Sequence, residues 1–149
     1  MHAPVELADI AAGLLARICE RVPRVHCITH SVAQQHTANM PLAVGAIPSM
    51  TVSPEEIGGF VTGADALRVN LGTFDSVRCA AVDVALGVAA KRKLPWLLDP
   101  VFIERSSPRA EFARAVLRHQ PSMGSFAAAM IDALHGLNAA ALRARPGVS

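Results

Sequence analysis

Four short apolar runs, each followed by a stretch of helical character, limit this sequence to very few architectures. The runs occupy residues 25–28, 46–50, 66–71 and 94–98. Runs of four to six residues have strand length, and their apolar character suits strands buried on both faces. Helical spacing fills the intervals, over residues 32–44, a shorter piece over 54–61, and a long one over 75–92. In the long one Val77, Ala81, Val82, Ala85, Val88 and Ala89 keep the helical period. A first helix is predicted over residues 5–21, with Leu7, Ile10, Leu14, Leu15 and Ile18 on one stripe, and Pro108 opens another after the fourth strand. Strands alternating with helices in this way make a parallel sheet joined by right-handed crossovers. The fold class is α/β, a parallel sheet flanked by helices.

Boundary residues agree with that division. Pro23 breaks the first helical pattern, Ser31 is placed to cap the second helix, and Gly45 stands where a helix ends. Ser53, Pro54 and Glu56 spell a capping box with proline at the first helical position, although Gly58 and Gly59 weaken the helix behind it. Beyond Pro121 come two alanine-rich pieces, FAAAMIDALHGL and NAAALRARPG. They read as a divergent helical tail over residues 121–149 of a single domain spanning 1–149. A chain of 149 residues is long enough to bury a real core. Its 52% apolar share is mostly Ala, Val and Leu, which suits helices laid on a buried sheet and leaves surface for subunit contacts.

Several function classes drop out. The net charge is +2, with basic residues scattered in RVPR, KRK and RAR and no basic stripe interleaved with aromatics, so nucleic acid is not the expected partner. Cys19, Cys27 and Cys79 lie far apart without a CxxC, which reads as reduced and intracellular. The N-terminal MHAPVELADI lacks a basic segment followed by an apolar run, and no stretch reaches roughly 18 uninterrupted apolar residues. Neither a signal peptide nor a membrane span is expected, and the expected location is the cytoplasm. GxxxxGK[ST] and GxG are both absent, which removes the P-loop and the dinucleotide fingerprint.

In a parallel sheet the ligand lies beyond the carboxyl ends of the strands, which turns the strand ends into candidates: Thr29, Met50, Asn70 to Thr73, and Asp99. Asp99, between WLL and Pro100, suits Mg²⁺ or a phosphate-bound water, and also a plain turn before proline. Asn70 and Thr73 flank Gly72, whose missing side chain lets backbone amides approach an anion at a helix N-terminus. An ordinary turn with Thr73 capping the helix gives the same pattern. Asn39 lies inside a helix beside Ala38, Met40 and Leu42, where its amide needs a partner, either a neighbouring strand end or a ligand. Met50, a methionine at a strand end, is by residue type more often core than ligand contact. His26 and His30 have the spacing of a helical zinc pair around Cys27. On a strand, however, four residues span roughly 13 Å, too far for one ion. Strand neighbours also point to opposite faces, which argues against a thiol–histidine dyad.

Residues 25–50, VHCITHSVAQQHTANMPLAVGAIPSM, contain Ile28-Thr29, Thr37-Ala38-Asn39, Gly45-Ala46 and Pro48-x-Met50 in order, followed by SPEE at 53–56, LRVNLGT at 67–73 and LLDPV at 97–101. This series resembles the N-terminal half of the hydroxyethylthiazole kinases, thiamine-salvage enzymes of ribokinase-like fold, over roughly residues 20–120. The resemblance implies ATP-dependent, Mg²⁺-assisted phosphorylation of the hydroxyethyl oxygen of 4-methyl-5-(2-hydroxyethyl)thiazole, catalysed mostly by positioning and charge neutralisation. It also implies that Met50 contacts the thiazole and that Thr29, Asn39 and Gly72 shape its pocket. Asn70 and Thr73 then lie toward the nucleotide, and Asp99 sits on the Mg²⁺–phosphate side. The implied assembly is a homo-oligomer, a trimer with sites between subunits. No residue is assigned as catalytic.

The sequence departs from the family pattern at several points. The family's Ile-Thr-Asn is Ile28-Thr29-His30 here, and its glycine-rich turn after the fourth strand is DPVFIERSS, with Phe102 and Glu104. Its Arg-Gly-Asn-x-x-Glu segment has PSMGSFAAA as counterpart, with Gly124 as a remnant. The family runs on for about as many residues again, whereas this sequence stops at RPGVS. The expectation is therefore a truncated fold, the thiazole-binding half with most of the ATP site lacking. An inactive remnant, or a module that binds the thiazole without turnover, stands as the alternative to an active kinase.

Overall fold

The four apolar runs become four strands: β1 (Arg24–Ile28), β2 (Ile47–Ser49), β3 (Ala66–Asn70) and β4 (Trp96–Asp99). The computed structural model describes residues 4–121, so the alanine-rich pieces after Pro121 lie outside the described residues. All pairings are parallel, in the spatial order β2-β1-β3-β4. In register, His26 stands beside Ser49 and Leu67, and Asn70 beside Asp99. Five helices accompany them: α1 (Pro4–Arg21), α2 (Gln34–Ala43), α3 (Ile57–Thr62), α4 (Ser76–Arg92) and α5 (Ser107–Leu117). The sheet is parallel and flanked by helices, as the alternation predicts.

The two-residue period of the strands divides the sheet into unlike faces. Ile28, Leu67, Val69, Trp96 and Leu98 belong to a buried cluster completed by Ile57 and Val61 of α3, Val82 and Leu86 of α4, and Ala113 and Val116 of α5. Full burial of each of the larger side chains contributes about 1.5–3 kcal/mol, so this face carries the core. Alanines at positions 81, 85 and 89 let α4 lie close against the cluster. On the opposite face, Ile18, Val25, Cys27, Thr37, Met40 and Arg68 line a cavity of about 490 Å³ beneath α1 and α2. The apolar stripe of α1 forms at its predicted spacing but is left uncovered among the described residues. Leu7, Ile10, Leu14 and Leu15 stay between 44% and 53% exposed, and only Ile18 is half-buried.

Three boundaries differ from expectation. Ser31 does not cap the second helix. It begins a 3₁₀ turn, Ser31–Ala33, that His30 caps by accepting the Val32 amide on Nδ1 at 3.1 Å. The capping box at Ser53 does not form either, because the Ser53 carbonyl receives the Glu56 and Ile57 amides while the Glu56 carboxylate accepts the Thr51 hydroxyl. A tight turn thus replaces the first helical turn, and α3 begins only at Ile57. The fourth strand starts at Trp96, not Leu94. Pro95 has no amide hydrogen to pair, although its carbonyl already accepts the Leu67 amide at 3.0 Å. Gly45 ends α2 as predicted, at φ +85°, in the left-handed conformation that favours glycine.

Candidate functional site

The strand order locates the site. From β1 the chain passes through α2 to β2 on one side, and from β3 it passes through α4 to β4 on the other. Connections that diverge in this way leave a crevice between the carboxyl ends of the two strands, the usual ligand position in open α/β sheets. Here that switch point falls between residues 29–31 after β1 and residues 70–73 after β3.

The two turns are fitted to each other. A Cβ on Gly72 would lie 2.6 Å from Cδ2 of His30 and 2.8 Å from Oδ1 of Asn70, so any side chain there would force His30 or Asn70 to shift. Thr73 does not cap the following helix. Asp75 does that, and its carboxyl is held below the usual range mainly by the hydrogen bond from the Arg78 amide. The Thr73 hydroxyl instead accepts the Ser31 amide at 3.0 Å, tying one turn to the other. Thr29 is 4% exposed, with its hydroxyl 3.2 Å from that of Thr37 on α2.

Beside this crevice stands Asp99, at the end of β4. Its Oδ2 accepts the Asn70 side-chain amide at 2.7 Å and a guanidinium N–H of Arg68 at 3.2 Å, while Asn70 Oδ1 accepts the Gly72 amide at 2.8 Å. Arg68, Asn70 and Asp99 share one sheet face because positions 68 and 70 are two apart on β3 and Asn70 is in register with Asp99. From α5, Arg109 donates to the carbonyls of Leu71 and Gly72 and lies 5.3 Å from the centroid of the Phe74 ring. Arg109 thereby pins the carbonyl side of the β3 turn. Cys27, deeply buried on β1, has its thiol pushed up by burial, an effect the Arg68 charge only partly offsets. That shift disfavours the thiolate form.

Thr29, Asn70, Gly72, Thr73 and Asp99 thus gather at the mouths of β1, β3 and β4. Met50 follows the edge strand β2, half-buried, between Ser49 and Thr51, both of which bond to His26. Asn39 differs from expectation. It is exposed on α2, so its amide meets water and needs no buried partner. Arg68 and Arg109 were not anticipated. Arg68 had a signal in its two-residue spacing from Asn70; Arg109 had none, since its partners come from a distant turn.

Residues 15–140 match the hydroxyethylthiazole kinase family. A probable hydroxyethylthiazole kinase of Agrobacterium fabrum is 44% identical over 113 residues, 76% of this chain and 46% of its own length. The hydroxyethylthiazole kinase of Pectobacterium atrosepticum is 41% identical over 129 residues, 87% of this chain and 49% of its own. The solved hydroxyethylthiazole kinase protein of Pyrococcus horikoshii OT3 superposes with a TM-score of 0.73 at 34% identity, covering 76% of this chain and 44% of that one. The chain belongs to the hydroxyethylthiazole kinase family. It spans about half the length of the relatives it matches. In this member of the family, Ile28-Thr29 closes β1, LRVNLGT forms β3 and its turn, and LLDPV forms β4 and the Asp99 corner. Nδ1 of the His30 imidazole supplies the capping acceptor that a side-chain oxygen provides in other caps.

Proposed function

We propose that this chain binds a thiazole alcohol at the mouths of β1, β2 and β3 and acts in the ATP-dependent phosphorylation of its hydroxyethyl oxygen, as its relatives' names indicate. The observation that carries this reading is the Asn70 amide, which links the Asp99 carboxylate to the backbone amide of Gly72 and so joins an acidic group to a turn shaped for close approach. Met50, Thr29, Asn39 and Gly72 line the thiazole side, with Asn39 reaching it from the exposed flank of α2. Asn70 and Thr73 shape the nucleotide side.

The residues present fit a Mg²⁺ that arrives with the nucleotide. Asp99 leaves Oδ1 open while Oδ2 is engaged, and no group of three His, Cys, Asp or Glu forms an all-protein cage among the described residues. Mg²⁺ is commonly held by one or two carboxylates together with substrate phosphates and water. Asp99 would hold the ion, and bound Mg²⁺ would neutralise charge on the transferring phosphoryl group. Arg68 and Asn70 orient the carboxylate for that role.

The acceptor alcohol is then placed over the β1–β3 crevice with its hydroxyl toward Asp99. The uncovered stripe of α1 supports a homo-oligomer, read as a trimer with sites between subunits. Among the described residues no helix is long and apolar enough to cross a membrane. The cytoplasm, which supplies ATP and keeps thiols such as Cys19, Cys27 and Cys79 reduced, is the proposed location.

One experiment tests binding and transfer together. Hydroxyethylthiazole at millimolar concentration should raise the melting temperature of the purified chain by mass action. Adding ATP and Mg²⁺ should yield the phosphorylated alcohol, seen by mass spectrometry and sharply reduced in Asp99→Ala. An unchanged melting temperature in folded protein, with no product above the enzyme-free blank, would overturn the proposal.

A further inference from the structure

We propose that His26 is a positioning residue whose neutral imidazole holds the segment carrying Met50, and that protonation of the ring releases that segment. The inference rests on the reading that Met50 faces the thiazole, but its first test needs no ligand.

His26 is fully buried on the β1 face turned toward α3, its ring centroid 6.1 Å from that of Phe60. Nδ1 lies 2.8 Å from the Ser49 hydroxyl oxygen, and Nε2 lies 3.1 Å from the Thr51 carbonyl oxygen. A carbonyl only accepts, so Nε2 carries the hydrogen. In the neutral ring Nδ1 is then the acceptor, and the Ser49 hydroxyl donates to it. Both ring nitrogens are engaged, one partner on either side of Met50.

Val52 packs against the core cluster further on, but Met50 itself lies outside the ladder. β2 is a three-residue edge strand that ends at Ser49, and residues 50–53 have no regular secondary structure. The Thr51 hydroxyl continues the chain of contacts to the Glu56 carboxylate, so the ring supports the whole approach to α3. The bland reading is a satisfied core histidine. It accounts for burial and bonding but not for the choice of partners, which are the two chain neighbours of Met50 and nothing deeper in the core.

A second proton on Nδ1 removes the acceptor that Ser49 uses and places a charge in the core. The charged groups around it do not compensate. The strand β2 and the helix α3 contribute no titratable side chain. Glu56, at the start of α3, is engaged by Thr51, and Arg24, two residues back on β1, is exposed, with its backbone amide bonded to Asp65 ahead of β3. On β3, Arg68 belongs to the opposite sheet face, and Arg92 of α4 donates to the Val61 and Ala64 carbonyls. Burial accordingly pushes the imidazole below its ordinary range, an effect the Thr51 hydrogen bond only partly offsets.

The test is methyl NMR of the full chain labelled at methionine, with the Met50 signal assigned by Met50→Leu. Between about pH 8 and pH 5, the range that brackets histidine titration, the Met50 methyl should shift with a single midpoint below 6.5, in step with the His26 ring. In His26→Gln, whose amide can still donate to the Thr51 carbonyl but does not titrate, that shift should vanish. Should this variant fail to fold, Ser49→Ala removes the arm lost on protonation and should show the acid-side Met50 signal already at pH 8. A Met50 methyl that stays fixed while His26 titrates would overturn the proposal. Thiazole affinity that falls on acidification in the wild type but not in His26→Gln extends the support to the ligand. A titrating methyl with no thiazole binding at any pH supports the positioning role and refutes the thiazole reading instead.

Discussion

Gly72 sits where three side-chain arguments meet. His30 presses on it from one turn, the Asn70 side-chain oxygen accepts its amide, and Arg109 donates to its carbonyl. A methyl group there would approach the His30 ring and the Asn70 oxygen to well under normal contact, and would force one or the other to shift against its own bonds. The imidazole is held by its cap on Val32, and the Asn70 amide by Asp99. Gly72→Ala should therefore destabilise the protein by about 1–3 kcal/mol, the usual range for overpacking. A lowered midpoint in urea unfolding checks this, and an unchanged midpoint would mean that the two turns are not fitted as described. The same reasoning assigns Asn70 an orienting role toward Asp99, because all its named bonds are to protein groups.

At the scale of elements, helix ends show where the chain accepts strain. The helix α4 begins on the Asp75 side chain, which accepts the Arg78 amide at 2.8 Å, and ends on Lys93, held at φ 52° in the left-handed region. A side chain at such a position costs roughly 1–2 kcal/mol relative to glycine. Lys93→Gly should accordingly raise the unfolding midpoint, by up to about 1 kcal/mol after the added chain entropy of glycine is counted. Thermal and urea unfolding of the variant check the sign. The short helix α3 shows the opposite case. Gly58 and Gly59 make it a weak helix, and it holds its place by burying Ile57 and Val61 under α4.

For the whole molecule, the sheet has one finished face and one unfinished face. The core lies on the side of α3, α4 and α5, while the other side keeps a cavity and an uncovered α1 stripe. Stability should also depend on pH in a direction that buried His26 sets. Its folded pKa lies below the ordinary value of 6.5, so between the two values the unfolded chain binds more protons than the folded one. The contribution is therefore complete above about pH 6.5 and is lost as pH falls through 6.5 toward the folded value. Asp75 has the same sign at lower pH, but its largely exposed carboxyl makes its share small. Urea midpoints measured at about pH 7.5, 6.5 and 5.5 should fall in that order. The dependence should be flatter in His26→Gln, and equal slopes would contradict the assignment.

The sequence by itself determined the α/β class, the four strands to within two residues, and which residues stand at the strand ends that form the candidate site. These follow from local patterns: the two-residue and helical periods, and the residue that stands where a strand stops. Family membership was legible from motifs in fixed order. The tertiary structure alone decided the order β2-β1-β3-β4, and with it the crevice between β1 and β3, because strand order depends on pairing between segments far apart in sequence. Register brought Asn70 to Asp99, and the packing of α5 brought Arg109 to the Gly72 carbonyl. Burial of β1 placed His26, whose spacing from His30 on a strand is too long for one metal ion, between Ser49 and Thr51.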